Sequence, residues 1–507
     1  MRVSSISQSD VKYKSPLNTK QPSSFSKRLA SATLQLTLSN AAVRLLALVS
    51  MPLLTRLLSP EAYGAAAMVG TLISLTAVIA LSGMDMSYAR AYHAKESPSG
   101  KVVEAFAWRY TIGTGLLAGI LAALAWWLFI AQLVGLPSYL ASFLGVGIFL
   151  SITNSMSQTR ARLNNQIRSM SLAIIASAIG TLALSIGVAL WWRQDELPLV
   201  VSITAGYLIP VLILGIPDLS QLRVPSGLRS EQRIQVLKIG IAGIMTAPMY
   251  WVISSLDRWF LGYFEDSASV GIYSIGYSVA IMGVMVNTAL AGVWVPEVSR
   301  AFENDPENAQ IQISKLIELM IVALGVVWLA ITSAGGDVVR LLADKRFLDA
   351  ATVVPYIAGA VFFHGVLHLY SAGTLLKKKL HHTLPWWIGG AVICITMNFL
   401  LVPSYGRVGA AITQACSLAF TALGIAYSAQ KLFPLKLRTN RVLGVLLAIL
   451  AAGVLMQRPW SQMPLVSLAL KFPVGLLLSL IVLNVMWPKF LSRMTVGDGF
   501  LREFNRQ

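Results

Sequence analysis

The chain has 507 residues, of which 56% are hydrophobic and only 12% charged. Soluble chains carry roughly a quarter charged residues, so an apolar excess of this size is expected to be covered by lipid. Forty Lys and Arg stand against 22 Asp and Glu, a net charge of +18. No basic helix or aromatic-spaced patch stands apart from the apolar runs, which excludes nucleic acid as a partner.

Residues 1–30 form a Ser- and Lys-rich stretch with no apolar core, expected to be a disordered cytoplasmic tail and not a cleaved signal peptide. Runs of roughly 20 apolar residues, the length that crosses a hydrocarbon core, then follow at 31–55, 63–83, 107–131, 138–158, 170–192 and 198–217. A polar linker over 218–235 precedes further runs at 236–256, 269–293, 314–336, 350–374, 383–403 and 407–429. Two more lie at 441–457 and 463–487, before a polar tail over 488–507. The expected fold is therefore an all-α polytopic membrane protein of about 14 transmembrane helices, because lipid-exposed backbone must satisfy its own hydrogen bonds. Assigning alternate loops to opposite sides puts 30 of the 40 Lys and Arg on the side of the N-terminus and eight on the other. That asymmetry predicts both termini in the cytoplasm.

Cys394 and Cys416 both fall inside spans, and neither a disulfide framework nor a zinc site can be built from them. No G-x-x-x-x-G-K-[ST] phosphate loop occurs, so hydrolysis of ATP is not expected. The outward loops are short, with about a dozen residues in the longest, near 337–349. They leave no room for the catalytic constellation of a polysaccharide polymerase or ligase, the enzyme alternative, and no catalytic, cofactor or metal residues are assigned.

The chain repeats itself. Leu54-Thr55-Arg56, Tyr63-Gly64 and Arg90 recur as Leu256-Asp257-Arg258, Val270-Gly271 and Arg300, at offsets of 202, 207 and 210. A weaker pair joins Gln158-Thr159-Arg160 to Gly373-Thr374-Leu375. The offset spans six helices, so the copies run in parallel: a lobe over 31–217 and another over 236–430, with two extra helices over 431–487. Parallel halves of this kind place a substrate site between them.

At these residues the chain resembles the polysaccharide-transporter branch of the multidrug/oligosaccharidyl-lipid/polysaccharide flippase superfamily. The resemblance rests on Pro52-Leu53-Leu54-Thr55-Arg56 with Pro60 and Tyr63-Gly64, and on Ser255-Leu256-Asp257-Arg258 with Gly262. It continues through Val270-Gly271, Tyr273, Gly276-Tyr277, Phe347, Ala350, Tyr356, Gly373 and Lys377-Lys378-Lys379 to Val402-Pro403, Gly406 and Val408-Gly409. It departs from the family pattern at Asp344-Lys345, where a glycine is common. The resemblance covers residues 31–430 and implies a transporter of multidrug-transporter-like fold, with two six-helix lobes around a central cavity. It implies movement of a polyprenyl-diphosphate-linked oligosaccharide from the inner to the outer leaflet of a bacterial inner membrane by alternating access, for surface polysaccharide such as O-antigen or exopolysaccharide. With no phosphate loop, a proton or sodium gradient or downstream removal of the product would drive net movement, and membrane lipids, a polysaccharide polymerase and export machinery would be the partners. A lipid II flippase and a multidrug antiporter are the alternatives within the same fold.

Candidate substrate residues follow from charge and helical spacing. Arg44 sits mid-span, where a charge costs about 3 kcal/mol on insertion scales. With Thr33, Thr37 and Asn40 it forms one polar stripe, read either as a cavity wall facing an anionic cargo or as an internal ion pair. Arg56 and Arg258 end repeat-related spans and would form a basic gate on the outer side, with Asp257 either in that gate or in an interfacial ion pair. Arg90 and Arg300 are their cytoplasmic counterparts, read as head-group capture or as topology determinants. Tyr273 and Tyr277 would stack on sugars or pack between helices. His364 and His368, four apart, could titrate near neutral pH and couple transport to protons, or fill buried polar space. Lys471 would snorkel to the interface or contact the carrier lipid's phosphate.

Overall fold

The computed structural model describes residues 23–92, 100–217, 228–304, 306–376 and 380–486. Among them every regular element is helical, as a chain surrounded by lipid requires. The expected tail over 1–22, Lys377-Lys378-Lys379 and the tail over 488–507 lie outside the described residues.

The first lobe contains α1 (Ser23–Leu57), α2 (Pro60–Leu81), the short α3 (Met84–Tyr92) and α4 (Gly100–Ala125). α4 runs through a π turn into Ala131–Leu133, and α5 (Leu140–Leu163), α6 (Ile167–Trp191) and α7 (Leu197–Leu214) complete the lobe. The second lobe opens with α8 (Ser230–Ile244) and α9 (Ala247–Phe264), two halves of one span bent at Met245-Thr246. Then come α10 (Ser267–Ala280), α11 (Val284–Asn304), α12 (Pro306–Leu342), α13 (Val354–Leu376) and α14 (Leu384–Leu432), followed by α15 (Thr439–Met456) and α16 (Pro464–Met486).

Twelve of these helical stretches are long and apolar enough to cross a membrane. One of them holds α14, whose 49 residues would extend roughly 74 Å if straight, far more than a bilayer core. Gly406 breaks it, with φ 51° and ψ −131°, into the eleventh and twelfth spans. α9 is too polar to count by composition, yet it completes the seventh span. The fourteen expected segments are all present. Several boundaries shift: α1 begins at Ser23 instead of 31, α4 at Gly100 instead of 107, α8 already occupies 230–235 of the expected linker, α11 runs to Asn304 instead of 293, and α12 spans Pro306–Leu342 instead of 314–336.

The repeat is visible in local structure. Ser59 caps α2 by accepting from the Ala62 amide, and Asp266 caps α10 by accepting from the Ser269 amide at 2.7 Å. Each satisfies an orphan amide of its helix, an interaction worth about 1 kcal/mol. Five residues beyond each cap stand Gly64 and Gly271, where α2 and α10 cross. A Cβ on Gly64 would lie 1.7 Å from the Ser267 carbonyl oxygen, and one on Gly271 would lie 1.9 Å from that of Pro60. The two contacts are mirror copies, since Pro60 and Ser267 are equivalent in the repeat.

Side chains seal the same end. Tyr63 meets Phe347 edge-on at 5.3 Å. Arg346 Nη2 donates to the Thr55 carbonyl at 2.8 Å, and the Asp344 amide donates to Thr55 Oγ1 at 3.1 Å. Hydrogen bonds from Arg346 hold the exposed Asp344 carboxyl below the usual carboxylate range. Just past the opposite end of α2 the first lobe meets the second again. There Gly83, at φ +65°, abuts Gly240 of α8 so closely that a Cβ would lie 2.1 Å from its carbonyl oxygen, and Ser87 Oγ donates to the Val236 carbonyl at 2.7 Å.

Candidate functional site

Between the lobes lies a cavity of about 770 Å³, walled by α1, α2, α5, α6 and α7 on one side and by α9 and α10 on the other. Near its middle α2 and α9 are tied together. Trp251 Nε1 donates to the Thr71 carbonyl and to Ser74 Oγ, each at 3.0 Å, and Trp259 Nε1 donates to Thr71 Oγ1 at 3.1 Å.

Arg258 is the single charged side chain among the described residues lining this cavity. Its Nη1 donates to the Ser254 carbonyl at 3.1 Å and to Asp257 Oδ1 at 3.3 Å. The guanidinium lies over the Tyr277 ring, 4.2 Å from its centroid, and 5.6 Å from that of Tyr273, an arrangement that stabilises the cation through the ring quadrupole. Asp257 is fully buried. Its Oδ1 accepts from the Arg258 amide at 2.8 Å, and its Oδ2 accepts from the Tyr273 hydroxyl. Tyr273 also reaches Gln414, whose Nε2 lies 3.5 Å from the Ser254 carbonyl. The carboxylate thus joins α9 to α10, through Tyr273 reaches Gln414 in the second half of α14, and neutralises Arg258, which lines the cavity. An arginine fixed in this way is suited to bidentate recognition of phosphate or carboxylate.

The sequence candidates separate on this map. Asp257 and Arg258 do not sit at an interface: both are buried about two turns before the end of α9. Arg56 is exposed in the last turn of α1, so the two arginines do not form a symmetric outer gate. A charged pair depresses hydropathy, which made Asp257 look like the boundary of its span. Tyr277 joins the cavity, whereas Tyr273 is fully buried behind it on Asp257. Arg44 is half-buried beside the α1 face that lines the cavity, and its Nη1 reaches the Ile281 carbonyl of the second lobe at 3.3 Å. Thr37 and Asn40 are exposed, Asn40 Nδ2 donating to the Leu36 carbonyl. The placement of the Thr33 side chain lies outside the described residues.

Arg90 is exposed near the end of α3, and Arg300 is exposed and paired with Glu297 at 2.6 Å. His364 and His368 meet edge-on at 4.5 Å, with Tyr250 5.3 Å from His364. They stand apart from the cavity lining. Lys471 neither snorkels nor faces a lipid head-group. It is buried against Asp337 at 2.7 Å, with side-chain exposures of 2% and 1%. Lys471 Nζ also donates to the Ser333 carbonyl at 2.8 Å, and Ser467 Oγ donates to Asp337 at 2.8 Å. Packing, not lipid, provides the counter-charge.

Sequence reasoning missed the polar wall opposite Arg258: Asn154 and Gln158 on α5, and Ser177, Thr181 and Ser185 on α6. The last three are spaced by four, the pattern that singled out the stripe on α1, and the same reading of 170–192 would have found them.

With this geometry in place, comparison with known proteins identifies the chain's surroundings. A family model described as polysaccharide biosynthesis protein matches residues 53–351. A probable low-salt glycan biosynthesis flippase, Agl15 of Haloferax volcanii, is 22% identical over 227 residues, 44% of this chain and 47% of the relative. The chain thus spans about half the length of that relative in the match. A structure of the lipid II flippase MurJ in an inward closed conformation aligns with TM-score 0.67 and 14% identity, covering 90% of this chain and 99% of that one. An inward-facing multidrug resistance MATE family transporter of the MOP superfamily aligns with TM-score 0.61 and 14% identity, covering 79% and 97%. The fold expected from the spans and the repeat is the one found.

Proposed function

The chain belongs to the polysaccharide biosynthesis protein family, and we propose that it is a flippase moving a polyprenyl-diphosphate-linked oligosaccharide across a bacterial inner membrane by alternating access. The observation that carries this reading is Arg258: a cation paired with the fully buried Asp257 and lining a cavity between the lobes. On entry of the cargo, the diphosphate takes up donors of Arg258, and the glycan occupies the space between α6 and Tyr277. The polyprenyl chain stays in lipid, and rocking of the lobes exchanges access. A cation at this position disfavours the cationic drugs of a multidrug antiporter. A proton or sodium gradient drives net movement, with His364 and His368 as the candidate coupling residues, and both termini lie in the cytoplasm.

The deciding experiment deletes the gene in its host and identifies the lipid-linked intermediate retained on the cytoplasmic face. A polyprenyl-diphosphate oligosaccharide is the expected result; peptidoglycan precursor would assign the protein as a lipid II flippase, and no intermediate would end the flippase reading. For the site, the double variant Asp257→Asn with Arg258→Gln removes both charges together and leaves neither buried alone. It is expected to reach the membrane at wild-type levels while transport in reconstituted vesicles falls roughly 10- to 150-fold, the loss of a charge-assisted bond of about 1.5–3 kcal/mol. Undiminished transport by that variant would remove Arg258 from the site.

A further inference from the structure

The wall facing Arg258 has a polarity of its own. Ser177, Thr181 and Ser185 of α6 and Ser202 of α7 line the cavity across from Arg258, and Ser274 and Ser278 of α10 line it on Arg258's own side. Every one of these hydroxyls donates its proton to a main-chain carbonyl. Ser177 donates to Gly206 at 2.7 Å, Thr181 to Ser177 at 2.6 Å and Ser185 to Thr181 at 2.9 Å. Ser202 donates to Leu199 at 2.8 Å, Ser274 to Val270 at 2.7 Å and Ser278 to Ser274 at 2.8 Å.

A hydroxyl has one proton and two lone pairs. With the proton committed to the helix, the lone pairs are what it presents to the cavity. The amides of α5 are mixed: Gln158 Nε2 donates to Asn154 Oδ1 at 3.0 Å, which leaves amide protons as well as the Gln158 carbonyl oxygen. Along the α6 stripe the free hydrogen-bonding capacity is therefore that of acceptors, and the cationic donor is Arg258 on the opposite side.

Such a wall discriminates by hydrogen-bond polarity. A neutral sugar brings several O–H donors and satisfies it. The carboxylate of a uronate or the sulfate of a sulfated sugar has no proton to give, and its anionic oxygens face lone pairs while Arg258 is occupied by the phosphate. Leaving such a group unmatched away from bulk water carries the full desolvation penalty.

We infer that this cavity selects a neutral, polyhydroxylated glycan, with the negative charge of the cargo confined to the phosphate linkage at Arg258. The inference rests on the flippase reading above and sharpens its substrate class. The α6 stripe is then the specificity element and Arg258 the anchor.

The test uses the full chain in lipid nanodiscs and three probes: geranylgeranyl diphosphate, the same lipid carrying a trisaccharide of neutral hexoses, and that trisaccharide with one hexose replaced by its hexuronic acid. The neutral glycolipid is expected to bind roughly ten-fold tighter than the sugar-free lipid and than the uronate, the effect of one or two matched hydrogen bonds. The triple variant Ser177→Ala, Thr181→Val, Ser185→Ala should lose the gain due to sugar and keep the affinity for the bare diphosphate. If that variant does not fold, Ser177→Ala alone should show a smaller loss of the same kind. Uronate binding as tight as the neutral probe, or a neutral affinity unchanged in the folded variants, would overturn the inference and leave the flippase reading intact. Binding of none of the three lipids would overturn the flippase reading itself, and this inference with it.

Discussion

Gly271→Ala is expected to prevent the two lobes from closing at the crossing of α2 and α10. The added Cβ would stand 1.9 Å from the Pro60 carbonyl oxygen and 3.0 Å from the Gly64 amide nitrogen. Both are main-chain atoms of a helix, so no side chain can swing aside, and the helices must separate. Overpacking of this kind costs about 1–3 kcal/mol, which shifts a closed-to-open ratio by roughly 5- to 150-fold. Cysteines placed at Tyr63 and Phe347, whose rings touch across the lobes, report closure through their rate of disulfide formation. With Cys394 and Cys416 replaced, that rate should fall at least ten-fold in Gly271→Ala. Gly64→Ala should do the same, because the Ser267 carbonyl oxygen meets its Cβ at 1.7 Å. An unchanged rate in both variants would show that the crossing does not govern closure.

The second large effect lies at the opposite edge of the second lobe. Asp337→Ala is expected to destabilise the protein by about 3–5 kcal/mol, the consequence of leaving one member of a buried ion pair without the other. Lys471 would keep its bond to the Ser333 carbonyl but lose its counter-charge, and Ser467 would lose its acceptor. Arg340, 3.6 Å from Asp337, would lose part of its own balance. Thermal unfolding in detergent should show a marked drop for Asp337→Ala and for Lys471→Ala. Asp337→Leu with Lys471→Met, which removes both charges and keeps the volume, should recover most of it. A double variant no better than the singles would mean that the pair acts through something other than charge.

Much of the fold could be read from the sequence because its physics is local. Whether a run of 20 residues enters lipid depends on that run alone, and the break at Gly406 was legible as a short turn between apolar stretches. The repeat was equally plain, and the structure extends it to the caps Ser59 and Asp266. What failed depended on partners. Lys471 is 134 residues from Asp337, and nothing in either stretch says that the two helices pack together. Asp337 itself was assigned to an outward loop because a charge at the end of an apolar run looks like a boundary. The same reasoning drew Asp257 and Arg258 to the surface, when three helices supply Tyr273, Gln414 and Ser254 to bury them. Arg44 attracted attention as a charge in mid-span, yet the arginine that lines the cavity is Arg258, whose neutralising partner precedes it in the chain.

The glycine contacts at Gly64 in α2 and at Gly83 just past its end have a consequence for the insulation of the membrane. Gly64 lies near the start of α2 and Gly83 in the left-handed turn just past its end at Leu81, and the 17 residues of helix from Gly64 to Leu81 rise roughly 26 Å, close to the thickness of the hydrocarbon core. This strut and the turn that follows it therefore meet the second lobe near both ends of the span, at Gly271 at one end and Gly240 at the other. Parting the lobes at one face leaves the strut anchored at the other, as with two doors hung on a single post. A transporter large enough to pass a glycan would short-circuit any ion gradient if it opened at both faces together. Here the leak is resisted by main chain packed against main chain, at points where not even a methyl group fits.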